Sequence, residues 1–341
     1  MRKLYDLYGI YLPIFLLILP LVVVLRTVAL FTDLGQFGHF NDDLMITVAN
    51  AITAAAVVFF ITYMFFGKKN IRLIPSFASA ANYIPSALVA LTVAMLGVHL
   101  AALAIASVPA AGSLYARIIS IATPTLAFAA AAYFVLASVM IARRSIRRSD
   151  FGIITLLFIC MYVAYLYFDT TLPINAPTKI TDELAYLAIA MFFIGETRLS
   201  LGRERWRRYI SFAFIGAVMT AYSAIPNLIY YFAREAVVSL SIYESLLTLA
   251  FFIFIICKIF LTPMLTKDEK SVIVTKIIAA AKARCEELEP ALPEVAEETD
   301  ESISEENEAD ENQITIAYEE PEAQSDGEMT EDGEEKEAPQ E

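Results

Sequence analysis

Tryptophan, histidine and cysteine are nearly missing from this chain of 341 residues, which holds one, two and three of them respectively. So few thiols and imidazoles exclude a disulfide framework and leave little from which to build a zinc site. Cys160, Cys257 and Cys285 form no CxxC pair. Two lie in apolar runs and one follows a basic cluster, so they read as buried or membrane-facing thiols. HExxH, a His-rich cluster and paired carboxylates within the apolar runs are not found either. The sequence therefore implies no enzyme, no metal and no cofactor. Charge is scarce as well, at 18% of residues, and it is unevenly placed.

What is abundant is apolar sequence: 58% of residues are hydrophobic, where soluble domains run nearer 45–50%. The net charge of −13 joins two unlike parts. Residues 285–341 hold 24 acids against one base, Lys336, a net of −23, whereas residues 1–284 are net +10. The sequence pI of 4.8 thus describes an acidic appendage on a basic body.

Long apolar runs fall near residues 10–31, 44–66, 80–105, 118–142, 151–170, 182–202, 209–232 and 244–265. A bilayer core of about 30 Å takes roughly 20 helical residues. Runs this long and unbroken are helices and not the alternating strands of a barrel. The expected fold is an all-α, polytopic transmembrane helix bundle of about eight spans. Its domains are a membrane unit over 1–266, a juxtamembrane basic helix over 267–285, and a disordered acidic tail over 286–341. Met1-Arg2-Lys3 resembles a signal-peptide start, but no small-x-small site follows, so a retained first span is expected.

The loops set a direction. Arg2 and Lys3, then Lys68, Lys69 and Arg72, then Arg143, Arg144, Arg147 and Arg148, then Arg198, Arg203, Arg205, Arg207 and Arg208 fall on one side. Only Arg117, Lys179 and Arg234 fall on the other, with Arg26 able to snorkel toward it. Cytoplasmic loops are the basic ones, so both termini are expected in the cytoplasm and the protein in the cell membrane. The sixth run is the soft link. Its uncharged part, 184–195, is short enough for a re-entrant segment, and crossing requires the helix to run on through Glu196 and Arg198.

Ionisable or helix-breaking residues within the runs are the candidate functional positions. Arg26 reads as snorkelling. His99 is either a neutral imidazole bonded to a neighbouring helix or a proton relay. Lys258 is expected to reach the interface. Glu196 and Arg198, two apart, point to different helix faces. Glu196 aligns with Ser200 and Arg203, and it is either wetted at the membrane edge or part of a polar vestibule. Pro20, Pro85, Pro124 and Pro226 each remove a helix hydrogen bond. Pro226 stands with Ser223 and Asn227, which either satisfy a kink or help coordinate a ligand.

Alanine runs at 54–56 and 129–132 favour close helix packing. Asp33, His39, Asp42 and Asp43 in the first outer loop lack fixed ligand spacing and read as a solvated loop with a helix cap. Asn41-Asp42-Asp43-Leu44 and Thr181-Asp182-Glu183-Leu184 open even-numbered spans, as a 4+4 parallel repeat or as ordinary capping.

Toward the end, Lys267, Lys270, Lys276, Lys282 and Arg284 interrupt an apolar pattern. That segment either lies on the anionic lipids of the inner leaflet or extends the last span. The tail beyond Cys285 is too polar to order itself. Within it, Gln313–Tyr318 is the β-prone stretch, suited to strand addition by a partner or without function. Nucleic acid is not an expected partner, since the basic clusters sit at the membrane and the tail repels phosphate.

The stretch 175–209, with Ile180-Thr-Asp-Glu-Leu-Ala-Tyr and Glu196-Thr-Arg-Leu-Ser-Leu-Gly-Arg, resembles uncharacterised bacterial polytopic membrane proteins. The resemblance implies a bacterial inner-membrane protein and brings no assigned activity. The function expected is a non-enzymatic sensor, adaptor or assembly component whose tail recruits a cytoplasmic partner. The alternative is a transporter of a small neutral or amphipathic solute.

Overall fold

The computed structural model describes residues 4, 7–35, 39–40, 43–67, 80–107, 114–142, 152–169, 171–200, 206–236, 238 and 241–265. The juxtamembrane segment and the acidic tail fall outside them. Among the described residues there are eight long helices and no strand. They are α1 (Tyr11–Asp33), α2 (Asp43–Phe66), α3 (Ala80–Ser107), α4 (Leu114–Ala142), α5 (Gly152–Phe168), α6 (Pro177–Ser200), α7 (Trp206–Arg234) and α8 (Ile242–Leu265). Six of them are long and apolar enough to cross a membrane: α1 to α4, α7 and α8. α5 is equally apolar but has only 17 residues, and α6 carries charge near both ends.

Lipid explains why the surface is greasy. Leu17, Val24 and Val28 on α1, and Leu91, Val98 and Ile105 on α3, are exposed. Contiguous apolar surface of this kind needs a non-aqueous neighbour. The chain is a multi-pass membrane protein.

α7 is the hub. In its apolar stretch 83% of residues are buried, against 28% in α1 and α2. It packs against α1, α2, α6 and α8, while α3 joins α4 and α8, α4 joins α5, and α5 joins α6. Among the described residues α1 packs chiefly on α2 and α7, with Phe15 also meeting the Phe260 ring of α8 at 6.3 Å. Small residues set the close approaches. A Cβ on Gly97 would stand 3.2 Å from the Ala127 Cβ, which ties α3 to the alanine-rich α4 as the composition implied. A Cβ on Gly216 would stand 3.1 Å from Ile255 Cδ1 at the α7–α8 contact.

The two sets of four helices differ in one main contact among the described residues. α6 packs on α7, but α2 does not pack on α3. Three helix starts differ from expectation by three residues or more, α4 beginning at Leu114 where 118 was expected. α6 begins at Pro177, five residues before the expected start, because proline suits the first helical position, where its missing N–H is no loss. Asp182 therefore lies in the second turn and caps nothing. α7 likewise begins at Trp206.

α6 runs the full depth of the bundle. Near its start Asp182 meets Ser223 and Asn227 of α7; near its end Glu196 meets Lys258 of α8. Those carboxylates are separated by about 21 Å of helix at 1.5 Å per residue. The two ends are named below after Asp182 and Glu196.

Candidate functional site

Four helices bring polar side chains together at the Asp182 end. α1 supplies Arg26, α2 supplies Asn50, α6 supplies Asp182, and α7 supplies Tyr222, Ser223 and Asn227. Arg26 is only 1% exposed, Asn227 3% and Asp182 4%. The Ser223 hydroxyl donates to Asp182 Oδ1, and the Asn227 amide donates to the same oxygen at 3.5 Å. The Tyr222 hydroxyl donates to Asn50 Oδ1 at 2.6 Å. Pro226 lies between these residues and deprives the Tyr222 carbonyl of its helical N–H partner.

Arg26 is the unusual member. Its guanidinium carbon stands 4.6 Å from the centre of the Tyr222 ring. Asp182 acts on it electrostatically. Yet Nε, Nη1 and Nη2 all lack a hydrogen-bond partner. A buried guanidinium costs several kcal/mol unless paired and hydrogen-bonded, and a desolvated cation–π contact returns only about 2 kcal/mol. The snorkelling expected for Arg26 does not occur. The side chain turns inward because its stem lies on the α1 face that packs on α7, where Asp182 offers a counter-charge. Asn227 Oδ1 is also buried without a partner.

Beside this centre Tyr186 of α6 is fully buried, and its hydroxyl donates to the Glu244 carbonyl at 3.4 Å while accepting from Thr248 at 3.1 Å. Its ring meets Tyr162 of α5 edge-on at 4.8 Å. Glu244 itself is 2% exposed. Tyr186 thus joins α6 to the start of α8 through the Glu244 carbonyl and Thr248. The signal for Glu244 was present: Ser241-x-x-Glu244 matches a capping box, and the Glu244 N–H does donate to Ser241 Oγ at 3.3 Å.

Aromatic rings fill the middle of the bundle. Phe134 of α4 touches Phe193 of α6 and both Phe251 and Phe254 of α8, with centroids 5.9–6.3 Å apart. Below them, at the Glu196 end, Lys258 Nζ donates to Glu196 Oε1 at 2.8 Å, with side chains 8% and 20% exposed. Lys258 was expected to reach the interface, and Glu196 to be either wetted at the membrane edge or part of a polar vestibule. The two pair with each other across α6 and α8, and Lys258 also lies 5.2 Å from the Phe254 ring.

No protein-family model, curated protein or solved structure matches this chain.

The other candidates are dispersed. His99, half-buried on α3, meets the Tyr243 ring of α8 at 4.9 Å. Arg198 is exposed. Lys179 is buried and donates to the Asp169 carbonyl at 2.7 Å, closing the C-terminal end of α5. In the first loop the Gly35 N–H donates to the His39 carbonyl at 2.7 Å. Among the described residues no three His, Cys, Asp or Glu side chains gather as a metal site; Asp42 and the Asp43 side chain lie outside those residues. The structure thus unites Arg26, Pro226 and Asn227, and it separates them from Glu196, Arg198 and His99.

Proposed function

We propose that this protein is a non-enzymatic sensor or adaptor of the cell membrane, with eight spans and both termini in the cytoplasm. Its acidic tail, 286–341, recruits a cytoplasmic protein partner. The basic loops place the Glu196 end at the cytoplasm and the Asp182 end outside. The juxtamembrane basic segment lies against anionic lipid of the inner leaflet.

The observation that carries this reading is the division between a net +10 body and a net −23 tail. A tail of that composition offers a partner a dense run of negative charge. The packed aromatic layer around Phe134 and Phe254 fits a bundle that holds its shape. A second reading, transport of a small neutral or amphipathic solute, is favoured by one arrangement. Buried charged centres lie at both ends of α6, with Pro226 interrupting α7 beside one of them.

Deleting 286–341 tests the choice. In-cell crosslinking should trap a specific partner with the full chain and lose it with the deletion, while solute flux is unchanged. Flux that survives the deletion but is abolished by Glu196→Gln or Pro226→Ala would favour transport instead.

A further inference from the structure

We propose that Arg26 and Asn227 form a recognition site, at the Asp182 end, for a small zwitterionic solute of the α-amino-acid class. The tail-recruitment reading does not require it.

The inference begins with what the centre leaves unused. Arg26 carries five N–H donors on a planar fork, and none of its three nitrogens meets an acceptor. Asn227 has committed its amide nitrogen to Asp182, and its Oδ1 remains without a donor. Asp182 in turn gives Oδ1 to both Ser223 and Asn227. It supplies negative charge without saturating the guanidinium.

The complement of that inventory is a ligand with two acceptor oxygens in one plane and a nearby N–H donor. A carboxylate meets the guanidinium fork bidentately. An ammonium on the adjacent carbon donates to Asn227 Oδ1 and takes its counter-charge from Asp182. Arg26 and Asp182 cancel one another, so a solute without net charge leaves the centre neutral. A free anion or a free cation would leave an uncompensated charge inside the bundle, which is costly.

Access follows from the packing. The Arg26 nitrogens are covered in this conformation. Among the described residues α1, which carries Arg26, packs chiefly on α2 and α7, and its Phe15 also meets Phe260 of α8. α7 is the helix whose hydrogen-bond ladder Pro226 interrupts at the same level. Separation of α1 from α7 exposes the guanidinium, and a bound carboxylate then satisfies it.

The test uses the purified full chain in detergent, with thermal unfolding and calorimetric titration against the twenty standard amino acids, acetate and methylamine. At least one amino acid should raise the unfolding temperature saturably, while acetate and methylamine at equal concentration should not. Arg26→Gln should weaken that binding about 30-fold or more, the loss expected when one partner of a buried charge-assisted contact is removed. Arg26→Lys should recover part of it. Each variant is compared with its own ligand-free unfolding temperature, so a stability change is read separately from binding. A wild-type chain that binds no amino acid at up to about 10 mM, beyond ordinary millimolar affinity, overturns the proposal without any variant. Binding unchanged in Arg26→Gln overturns it too, as does acetate alone reproducing the full shift.

Discussion

Lys258 and Glu196, 62 positions apart in sequence, form a 2.8 Å ion pair that ties the end of α8 to the end of α6. The two charges offset each other where Lys258 is largely buried. The pair sits beneath the Phe193–Phe254 stack, whose centroids are 5.9 Å apart, so solvent reaches Lys258 poorly.

Breaking that pair on one side should cost stability, and removing both charges should not. Glu196→Gln or Lys258→Met alone is expected to lower unfolding free energy by about 3 kcal/mol or less, since each removes one charge of a largely buried ion pair. The double variant should recover most of the loss. Thermal unfolding of the four proteins in one detergent checks this as a double-mutant cycle.

The contact of α7 with α8 is limited by side-chain volume at Gly216. Gly216→Ala adds a methyl group 3.1 Å from Ile255 Cδ1, the mobile end of a flexible side chain. It should shift stability by less than about 1 kcal/mol. Gly216→Leu cannot be absorbed that way and should cost about 1–3 kcal/mol, the range for overpacked cores. Chemical denaturation of both variants distinguishes a tight contact from a loose one.

Asp182 depends on its two donors from α7. Ser223→Ala together with Asn227→Leu strips both from a carboxylate that is 4% exposed. The double variant should lose about 2–4 kcal/mol, more than either single change, because an unsatisfied buried acceptor bears its full desolvation penalty. Adding Asp182→Leu to this pair should not restore stability, since Arg26 then loses its counter-charge. Recovery in the triple variant would show that Asp182 does not neutralise Arg26.

Much of the fold was legible because membrane helices announce themselves locally. Apolar length located most of the helices, the sixth needing the loop charges as well, and Pro20, Pro85, Pro124 and Pro226 all fall inside helices where the runs placed them. Starts were less legible where a helix opens in polar sequence. Pro177 and Trp206 precede the apolar runs of α6 and α7, so hydrophobicity points to Asp182 and Tyr209 instead.

The candidate site was only partly legible, for a different reason. Arg26, Asn227 and Pro226 stood out as polar or helix-breaking residues in apolar surroundings. Asp182 did not, because an acid near a helix start is ordinarily a cap. Its partners come from α1 and α7, and pairing at that separation leaves no periodic trace. One cue was available. α6 has acids near both ends of a short uncharged stretch, while α1 and α8 each hold one base within an apolar run. Charges that must lie at membrane depth have to neutralise one another, and counting them would have suggested Arg26 with Asp182 and Lys258 with Glu196.

In the proposed orientation α6 crosses the membrane with the Arg26–Asp182 centre outside and the Lys258–Glu196 pair inside. Ile180 and Arg198 are both exposed and stand at opposite ends of this helix. With Cys160, Cys257 and Cys285 replaced by alanine, single cysteines at 180 and 198 should be tested in intact cells with a membrane-impermeant maleimide. Labelling of 180 from outside, and of 198 only after permeabilisation, is the expected result. Labelling of both positions from the same side would contradict the account.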